Sequence, residues 1–89
     1  IITNPTHYAV ALQYDHLKAG APLLVAKGVD FLARRIKEKG WENNVEIVEN
    51  PQLARTIYAD VEIGQEIPQE LYEAVAEILA YVFKLKNKI

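Results

Sequence analysis

The residues most capable of chemistry lie near the start of the chain, where Asn4 is followed by Pro5, Thr6 and His7. Asparagine commonly degrades when the backbone nitrogen of the next residue attacks its side-chain carbonyl. Pro5 closes that route because proline has no backbone N–H. The alternative is attack by the Asn4 side-chain nitrogen on its own backbone carbonyl, which forms a succinimide and releases Pro5 as a free amine. The Asn4–Pro5 bond is therefore a candidate site of backbone self-cleavage.

Such a reaction needs assistance, because an amide nitrogen is a poor nucleophile. A histidine side chain titrates near neutrality, so His7 can act as general base or acid. A hydrogen-bond donor near the Asn4 carbonyl would stabilise the developing oxyanion, and a constrained turn would hold nitrogen and carbonyl carbon together. Thr6 can fix the turn or place its hydroxyl near that carbonyl.

The simpler interpretation is that residues 4–7 only form a tight turn. Asn in the first position and Pro in the second both favour one, and Thr6 in the third position favours type I over type II. The tetrapeptide alone does not decide between a turn and a reactive turn.

Strands must position this segment, and apolar runs predict where they lie. Residues 8–14, 23–26 and 45–48 have strand patterns, and Ile1 with Ile2 can add a short strand before the turn. Helices are expected to follow Asp30 and Asn50, each acting as N-cap. The longest helix is expected from Pro68 to about Lys86.

This order predicts a single α/β domain over residues 1–89. We expect one small, mostly buried β-sheet of about four strands, flanked by about four helices, with a long C-terminal helix.

Two apolar stripes run along the last predicted helix, more than one helix face needs against a small sheet. Both could belong to the core, or part of the second could be exposed for a partner. The first stripe comprises Leu71, Val75, Ile78, Val82 and Leu85, and the second Tyr72, Ala76, Leu79 and Phe83.

Composition excludes several classes of function. The net charge of −2 gives no general attraction to nucleic acid, and the chain has no cysteine for disulfides or thiolate metal sites. The longest apolar run, residues 78–83, is too short to cross a bilayer. Because the chain begins at Ile1 without Met, we expect it to be part of a longer protein.

Residues 4–12, Asn-Pro-Thr-His-Tyr-Ala-Val-Ala-Leu, are similar to the self-cleavage segment of the FlhB/YscU family, the switch proteins of type III export. The resemblance covers essentially the whole chain. Further matching blocks occur at 21–22 with 25–28, 49–51 with 53–55, 61–64 with 66–68, and 71–72 with 74–76.

The resemblance implies a domain on the cytoplasmic side of the bacterial inner membrane, following a membrane-anchored part that this chain lacks. It also implies cleavage between Asn4 and Pro5, with Thr6 and His7 assisting. Residues 1–4 and 5–89 would stay associated after the cut. Because this is one turnover on the protein's own backbone, we do not expect an enzyme, and we expect no cofactor or metal.

In the family, cleavage permits a change from early export substrates (rod and hook, or needle) to late ones (filament, or effectors). Other export-apparatus proteins and a hook-length or needle-length control protein are the partners implied. The flagellar system is preferred, because residues 61–68 and 71–81 most resemble flagellar members; an injectisome counterpart is the alternative.

A docking patch is also implied by the resemblance. Family members receive early substrates on a small hydrophobic patch, whose residues match Ala21, Pro22, Ala76 and Leu79 here. We expect the altered turn at residues 5–7 to lie beside this patch.

Other features have plainer interpretations. His16 is expected in a loop rather than in a metal site, and Lys27-Gly28 in a turn rather than a phosphate loop. The basic residues of the first helix are expected to form a solvated face, with a contact to export apparatus or membrane headgroups as the alternative; they are Arg34, Arg35, Lys37 and Lys39. Two competing functions remain, a non-cleaving adaptor that only binds partners and an unrelated small α/β enzyme domain.

Overall fold

A four-stranded mixed β-sheet forms the centre of the structure, a computed structural model that describes residues 1–5, 7–15 and 20–87. The elements are β1 (Ile2–Asn4), β2 (Tyr8–Gln13), β3 (Leu23–Val29), α1 (Asp30–Glu42), β4 (Val48–Glu49), α2 (Pro51–Asp60), a 3-10 turn (Gln69–Leu71) and α3 (Tyr72–Lys86). The strand order is β3-β2-β1-β4, with β1 parallel to β4 and the other neighbours antiparallel. β1 is therefore an inner strand, with a partner on each side.

Alternate residues of the strands face the two sides of the sheet. On one side Ile2, Val10 and Leu24 are fully buried in a core shared with α2 and α3. The partners from outside the sheet are Leu53, Ala54, Ile57, Val61, Ile67 and Val75. This core gives most of the apolar burial that stabilises the fold.

The other side of the sheet carries α1, which approaches through small residues. Ala9 and Ala33 are buried there, and Gly28 of β3 faces the start of the helix. A Cβ at Gly28 would lie 2.5 Å from the Leu32 Cβ and 3.1 Å from the Leu32 carbonyl carbon. Glycine is therefore needed at this position for α1 to lie so close to the sheet.

The α/β class, the four strands and the long C-terminal helix are confirmed. The helix number differs from expectation, since the described residues form three α-helices and one 3-10 turn rather than about four helices. Strand β4 starts at Val48 rather than at residue 45, because the Val45 N–H donates to the Gly40 carbonyl at 2.8 Å and closes the end of α1. Similarly, the 3-10 turn after Pro68 delays α3 to Tyr72.

The predicted helix caps have different outcomes. Asn50 caps α2 as expected, its Oδ1 accepting from the Leu53 N–H at 3.2 Å. The prediction for Asp30 is wrong: α1 begins at Asp30 itself, its N-cap position is Val29, and no side chain caps it. Asp30 instead has a φ of 49°, in the left-handed region, where its backbone N–H points to the turn that joins β1 and β2.

None of the helices in the described part of the chain is long and apolar enough to span a membrane.

Candidate functional site

The hairpin of β1 and β2 places Asn4 and His7 at opposite ends of one turn. Asn4 is the last residue of β1 and pairs with Tyr8, the first residue of β2. The His7 backbone N–H donates to the Asn4 carbonyl oxygen at 3.1 Å, the bond that closes a β-turn. The predicted turn is confirmed, while Thr6 lies outside the described residues, so the turn type and the role of Thr6 stay predictions.

The Asn4 carbonyl thus carries a main-chain hydrogen-bond donor at the place where charge would develop during self-cleavage. The sequence predicted a need for such a donor without identifying one. Asn4 is 7% exposed, and the ladder to β2 holds its backbone. A preorganised donor in a site largely shielded from water stabilises an oxyanion more than one in bulk solvent does.

Asp30 is a residue of this site that the sequence did not reveal. Its backbone N–H donates to the His7 carbonyl at 2.8 Å, and its Oδ1 lies 3.3 Å from His7 Nδ1. The two contacts connect the turn to the start of α1 and orient the His7 side chain. The contact depends on the pairing of Tyr8 with Val29, which the sequence does not show.

A second Asn-Pro pair, Asn50-Pro51, has different surroundings. The Asn50 side chain caps α2, and the Asn50 backbone N–H donates to the Thr3 carbonyl at 2.9 Å. Pro51 is the first residue of a helix rather than the second residue of a hairpin turn. The same dipeptide therefore occurs once in a hairpin turn, where self-cleavage is predicted, and once at a helix start, where it has a structural role.

The four residues predicted for docking all line one pocket of about 430 Å³. Ala21 and Pro22 come from the segment before β3, and Ala76 and Leu79 from α3. The remaining lining residues are Tyr14, Gly20, Glu66, Ile67, Tyr72 and Val75. Tyr72 and Val75 belong to the apolar stripes predicted for the last helix, whereas no local pattern connects the other four to that helix.

One wall of this pocket is the segment between α2 and α3, which hydrogen-bonds along the outer edge of β3. The Ile67 N–H donates to the Pro22 carbonyl at 2.9 Å, and the Leu24 N–H to the Gln65 carbonyl at 2.9 Å. These bonds hold Ile67 against the core and fix one side of the pocket.

Lys27 anchors the start of the same segment. Its Nζ donates to the carbonyls of Tyr58 and Val61 at 2.9 and 2.8 Å, so a cation lies at the C-terminal end of α2, where the helix dipole favours it. Lys27-Gly28 is thus part of β3, and the expectation of a turn there is wrong.

Exposure along α3 differs between its two stripes. In the first stripe Val75 is buried, Leu71, Ile78 and Val82 are half-buried, and Leu85 near the end of the helix is 39% exposed. In the second stripe Tyr72 and Phe83 are 47% and 42% exposed, Ala76 is exposed and Leu79 is half-buried. The second stripe is therefore largely accessible, as the docking interpretation requires.

The turn and the pocket lie at opposite ends of β2. Tyr8 pairs with Val29 near the turn, whereas Gln13 pairs with Leu23 near the pocket. At about 3.3 Å per residue the strand separates the two by roughly 20 Å. The expectation that the turn lies beside the docking patch is therefore wrong.

The remaining predictions concern exposed groups. Arg34, Arg35 and Lys39 of α1 are exposed, in agreement with a solvated face, whereas Lys37 is half-buried. Across the described residues, no three or more His, Cys, Asp or Glu side chains are grouped as a metal ion would require. His16 lies outside the described residues.

Comparison with known proteins gives the family. Residues 1–82 match the FlhB HrpN YscU SpaS Family. The chain is 56% identical over 89 residues to the flagellar biosynthetic protein FlhB of Bacillus subtilis (strain 168), covering all of this chain and 25% of that protein. It is 59% identical over 87 residues to the flagellar biosynthetic protein FlhB of Escherichia coli (strain K12), covering 98% and 23%. The chain thus spans about a quarter of the length of the curated relatives it matches.

Solved structures agree with these matches. The crystal structure of the cytoplasmic domain of FlhB from Shewanella putrefaciens aligns with a TM-score of 0.89 at 48% identity, covering 96% of this chain and 65% of that one. The PscU C-terminal domain aligns with a TM-score of 0.82 at 32% identity, covering 88% and 99%. Since the match extends over nearly every described element, the chain belongs to the FlhB HrpN YscU SpaS family.

Proposed function

We propose that this chain is the cytoplasmic domain of a flagellar type III export protein and that it cuts its own backbone between Asn4 and Pro5. The flagellar assignment is supported by relatives named flagellar biosynthetic protein FlhB at 56% and 59% identity, compared with 32% for the PscU domain. The cytoplasmic side is supported by the likeness to the cytoplasmic domain from Shewanella putrefaciens. The rest of the protein would anchor it to the inner membrane.

The single observation that carries the cleavage proposal is that the Asn4–Pro5 bond lies in a hairpin turn closed by the hydrogen bond from the His7 N–H to the Asn4 carbonyl oxygen at 3.1 Å. Asn4 Nδ2 attacks the Asn4 carbonyl carbon, and the oxyanion that forms is stabilised by this donor. The bond between the Asn4 carbonyl carbon and the Pro5 nitrogen then breaks, and its electron pair leaves with that nitrogen.

The proton balance involves one transfer. Asn4 Nδ2 loses a proton on forming the succinimide, and the Pro5 nitrogen gains one on leaving. The His7 side chain serves as the base and acid for this transfer, oriented by Asp30. The reaction occurs once per chain and does not regenerate the uncleaved protein, so the protein is not an enzyme acting on an external substrate.

The proposed consequence of the cut is a change of export substrates, from rod and hook proteins to filament proteins. A hook-length control protein and other export-apparatus proteins would recognise the cleaved form of the domain. Because about 20 Å of β2 separates the turn from the docking pocket, the cut would act on partners that contact the turn rather than by filling the pocket directly.

Early export substrates are proposed to dock in the pocket formed by Ala21, Pro22, Ala76 and Leu79. The convergence of all four on one apolar concavity supports this, as does the exposure of the second stripe of α3. Peptide recognition by an apolar groove needs such accessible side chains.

The cleavage proposal is tested by expressing the chain with several residues before Ile1, denaturing it and measuring the masses of the pieces. We expect a fragment that starts at Pro5, and none from Asn4→Ala. The chain supplies its own control in Asn50-Pro51, for which we expect no fragment starting at Pro51, because the Asn50 side chain is engaged as a helix cap.

An intact wild-type chain after prolonged incubation would overturn self-cleavage. It would favour the non-cleaving adaptor, which uses the same pocket only to bind partners. Fragments at both Asn-Pro pairs would also contradict the proposal, since they would show that the folded turn has no special role.

A further inference from the structure

A second groove lies on the side of the sheet that carries α1, away from the docking pocket. Its volume is about 600 Å³, its floor comes from β2 and β3, and its wall is α1. Apolar side chains line it, including Val25, Phe31, Leu32 and Val45. Phe31 is 65% exposed and Leu32 is 58% exposed, so much of this apolar surface faces solvent.

The groove exists because α1 packs on the sheet through small residues. Gly28 and Ala33 bring the helix close to β3 at its start, with the Leu32 Cβ next to Gly28, while most of the Leu32 and Phe31 side chains remains exposed. Exposed apolar surface of this extent, rimmed by polar groups, is typical of an interaction site.

The charged side chains that line the groove have one sign. Among the described residues, Arg35 and Lys39 line it and no carboxylate does. The Lys39 Nζ is 4.0 Å from Glu42 Oε1, a loose and solvent-exposed pair that contributes little and can be exchanged for a better one. The docking pocket differs, because the one charged side chain among its described lining residues is Glu66.

We propose that this groove binds an acidic amphipathic helix of a partner protein. The apolar side chains of that helix would contact Leu32 and Val25, and its carboxylates would pair with Arg35 and Lys39. This is a site separate from the docking pocket, and its occupant has the opposite charge from one that Glu66 would favour.

A membrane surface fits less well than a protein segment. The groove is concave, whereas a bilayer surface is flat on this scale. The chain has a net charge of −2, and Glu38 and Glu42 lie on α1 beside the cations, so an anionic membrane would meet both attraction and repulsion. A rod-shaped segment can place its charges against Arg35 and Lys39 alone.

The test uses two synthetic helical peptides that share one leucine face and carry either glutamate or lysine on the other face. Binding to the 89-residue chain is measured by NMR titration, which also reports where each peptide binds. We expect the glutamate peptide to bind roughly three- to tenfold more tightly at low salt, with shifts at Val25 and Leu32 rather than at Ala76. This preference would run against the negative net charge of the chain.

Charge reversal of the rim provides the second arm. In the double variant Arg35→Glu with Lys39→Glu the preference should invert, while Arg55→Glu with Lys84→Glu, two exposed cations outside the groove, should leave it unchanged. Phe31→Ser should weaken both peptides. Circular dichroism checks that each variant is folded.

Several results would overturn the proposal. These are equal binding of the two peptides, shifts confined to the docking pocket, or no effect of the charge reversal in a folded variant. Binding of anionic vesicles but of neither peptide would assign the groove to a membrane instead. Self-association that the charge reversal abolishes would assign it to a second copy of the chain.

Discussion

Asn4 and Asn50 both precede proline, but the chain around each asparagine is folded differently. Both asparagines have a main-chain N–H donor on their carbonyl oxygen, from His7 at 3.1 Å and from Ala54 at 3.0 Å. They differ in the local fold, because Asn4-Pro5 lies in a hairpin turn whereas Asn50-Pro51 starts a helix that the Asn50 side chain caps. The chemistry proposed for Asn4 therefore depends on main-chain geometry more than on the identity of the dipeptide.

Asp30 gives a prediction at the residue scale. Asp30→Asn removes the carboxylate beside His7 while keeping a residue that tolerates the left-handed φ of 49°. We expect self-cleavage to slow by about two- to tenfold, because the lost contact is solvent-exposed. The rate is measured from fragment masses over time, and the melting temperature should stay nearly the same.

His7→Ala distinguishes orientation of His7 from a general structural effect. In the His7→Ala background, Asp30→Asn should slow cleavage no further, since the group that it orients is gone. Asp60→Asn, an exposed change at the end of α2, serves as the matched control. An equal effect of Asp30→Asn in both backgrounds would exclude the orienting role.

Helix α3 contributes side chains both to the core and to the accessible surface. Both Val75 and Ala76 line the pocket, but Val75 is buried in the core while Ala76, the next residue, is exposed. This division arises because the narrow sheet has room for only part of a helix with two apolar stripes.

Ala76→Asp tests docking on this helix. The new carboxylate would be buried without a partner when an apolar segment enters the pocket, so we expect binding of a rod or hook protein to fall at least about tenfold. Ala80→Asp is the matched control, because Ala80 is exposed on the same helix and does not line the pocket. Affinity is measured by calorimetry.

Ala76 is a better position than Leu79 for this test, because Leu79 packs against the core and its change risks unfolding. Unchanged binding in folded Ala76→Asp, with normal cleavage, would remove α3 from the docking site. The cleavage proposal would be unaffected by that result.

The topology of the whole molecule determines what happens to the upstream piece after cleavage. β1 lies between β2 and β4, with hydrogen bonds from the Val48 N–H to the Ile1 carbonyl and from the Asn50 N–H to the Thr3 carbonyl. Ile2 is also fully buried. A strand held on both sides and by its side chain should remain in place without its covalent link.

We therefore predict that the cleaved protein elutes as one species in native size-exclusion chromatography and separates only in denaturant. Ile2→Ala should release the upstream piece more easily, since truncating a buried isoleucine costs about 2–5 kcal/mol. Ile63→Ala, at an exposed position, should have no such effect. Separation of the wild-type pieces under native conditions would contradict this account.

The sequence was sufficient for much of the fold and for part of the site. Apolar runs predicted the strands and the long helix, and Asn50-Pro51 predicted the start of α2, because these signals are local. The Asp30 cap failed because of a distant contact, since the Asp30 N–H donates to the His7 carbonyl of the hairpin turn and α1 begins at Asp30 itself. The 45–48 strand failed because of a local contact, since the Val45 N–H donates to the Gly40 carbonyl at the end of α1.

By itself the sequence determined the chemistry available at Asn4-Pro5, since the missing N–H of proline is a covalent property. It also determined the alternation that buries Ile2, Val10 and Leu24. Only the tertiary structure decided which groups surround that bond, that Ala21 and Ala76 share one pocket, and that the pocket lies at the far end of β2 from the turn. The physical reason is that strand register and helix packing arise from contacts between residues far apart in the chain, which no local pattern contains.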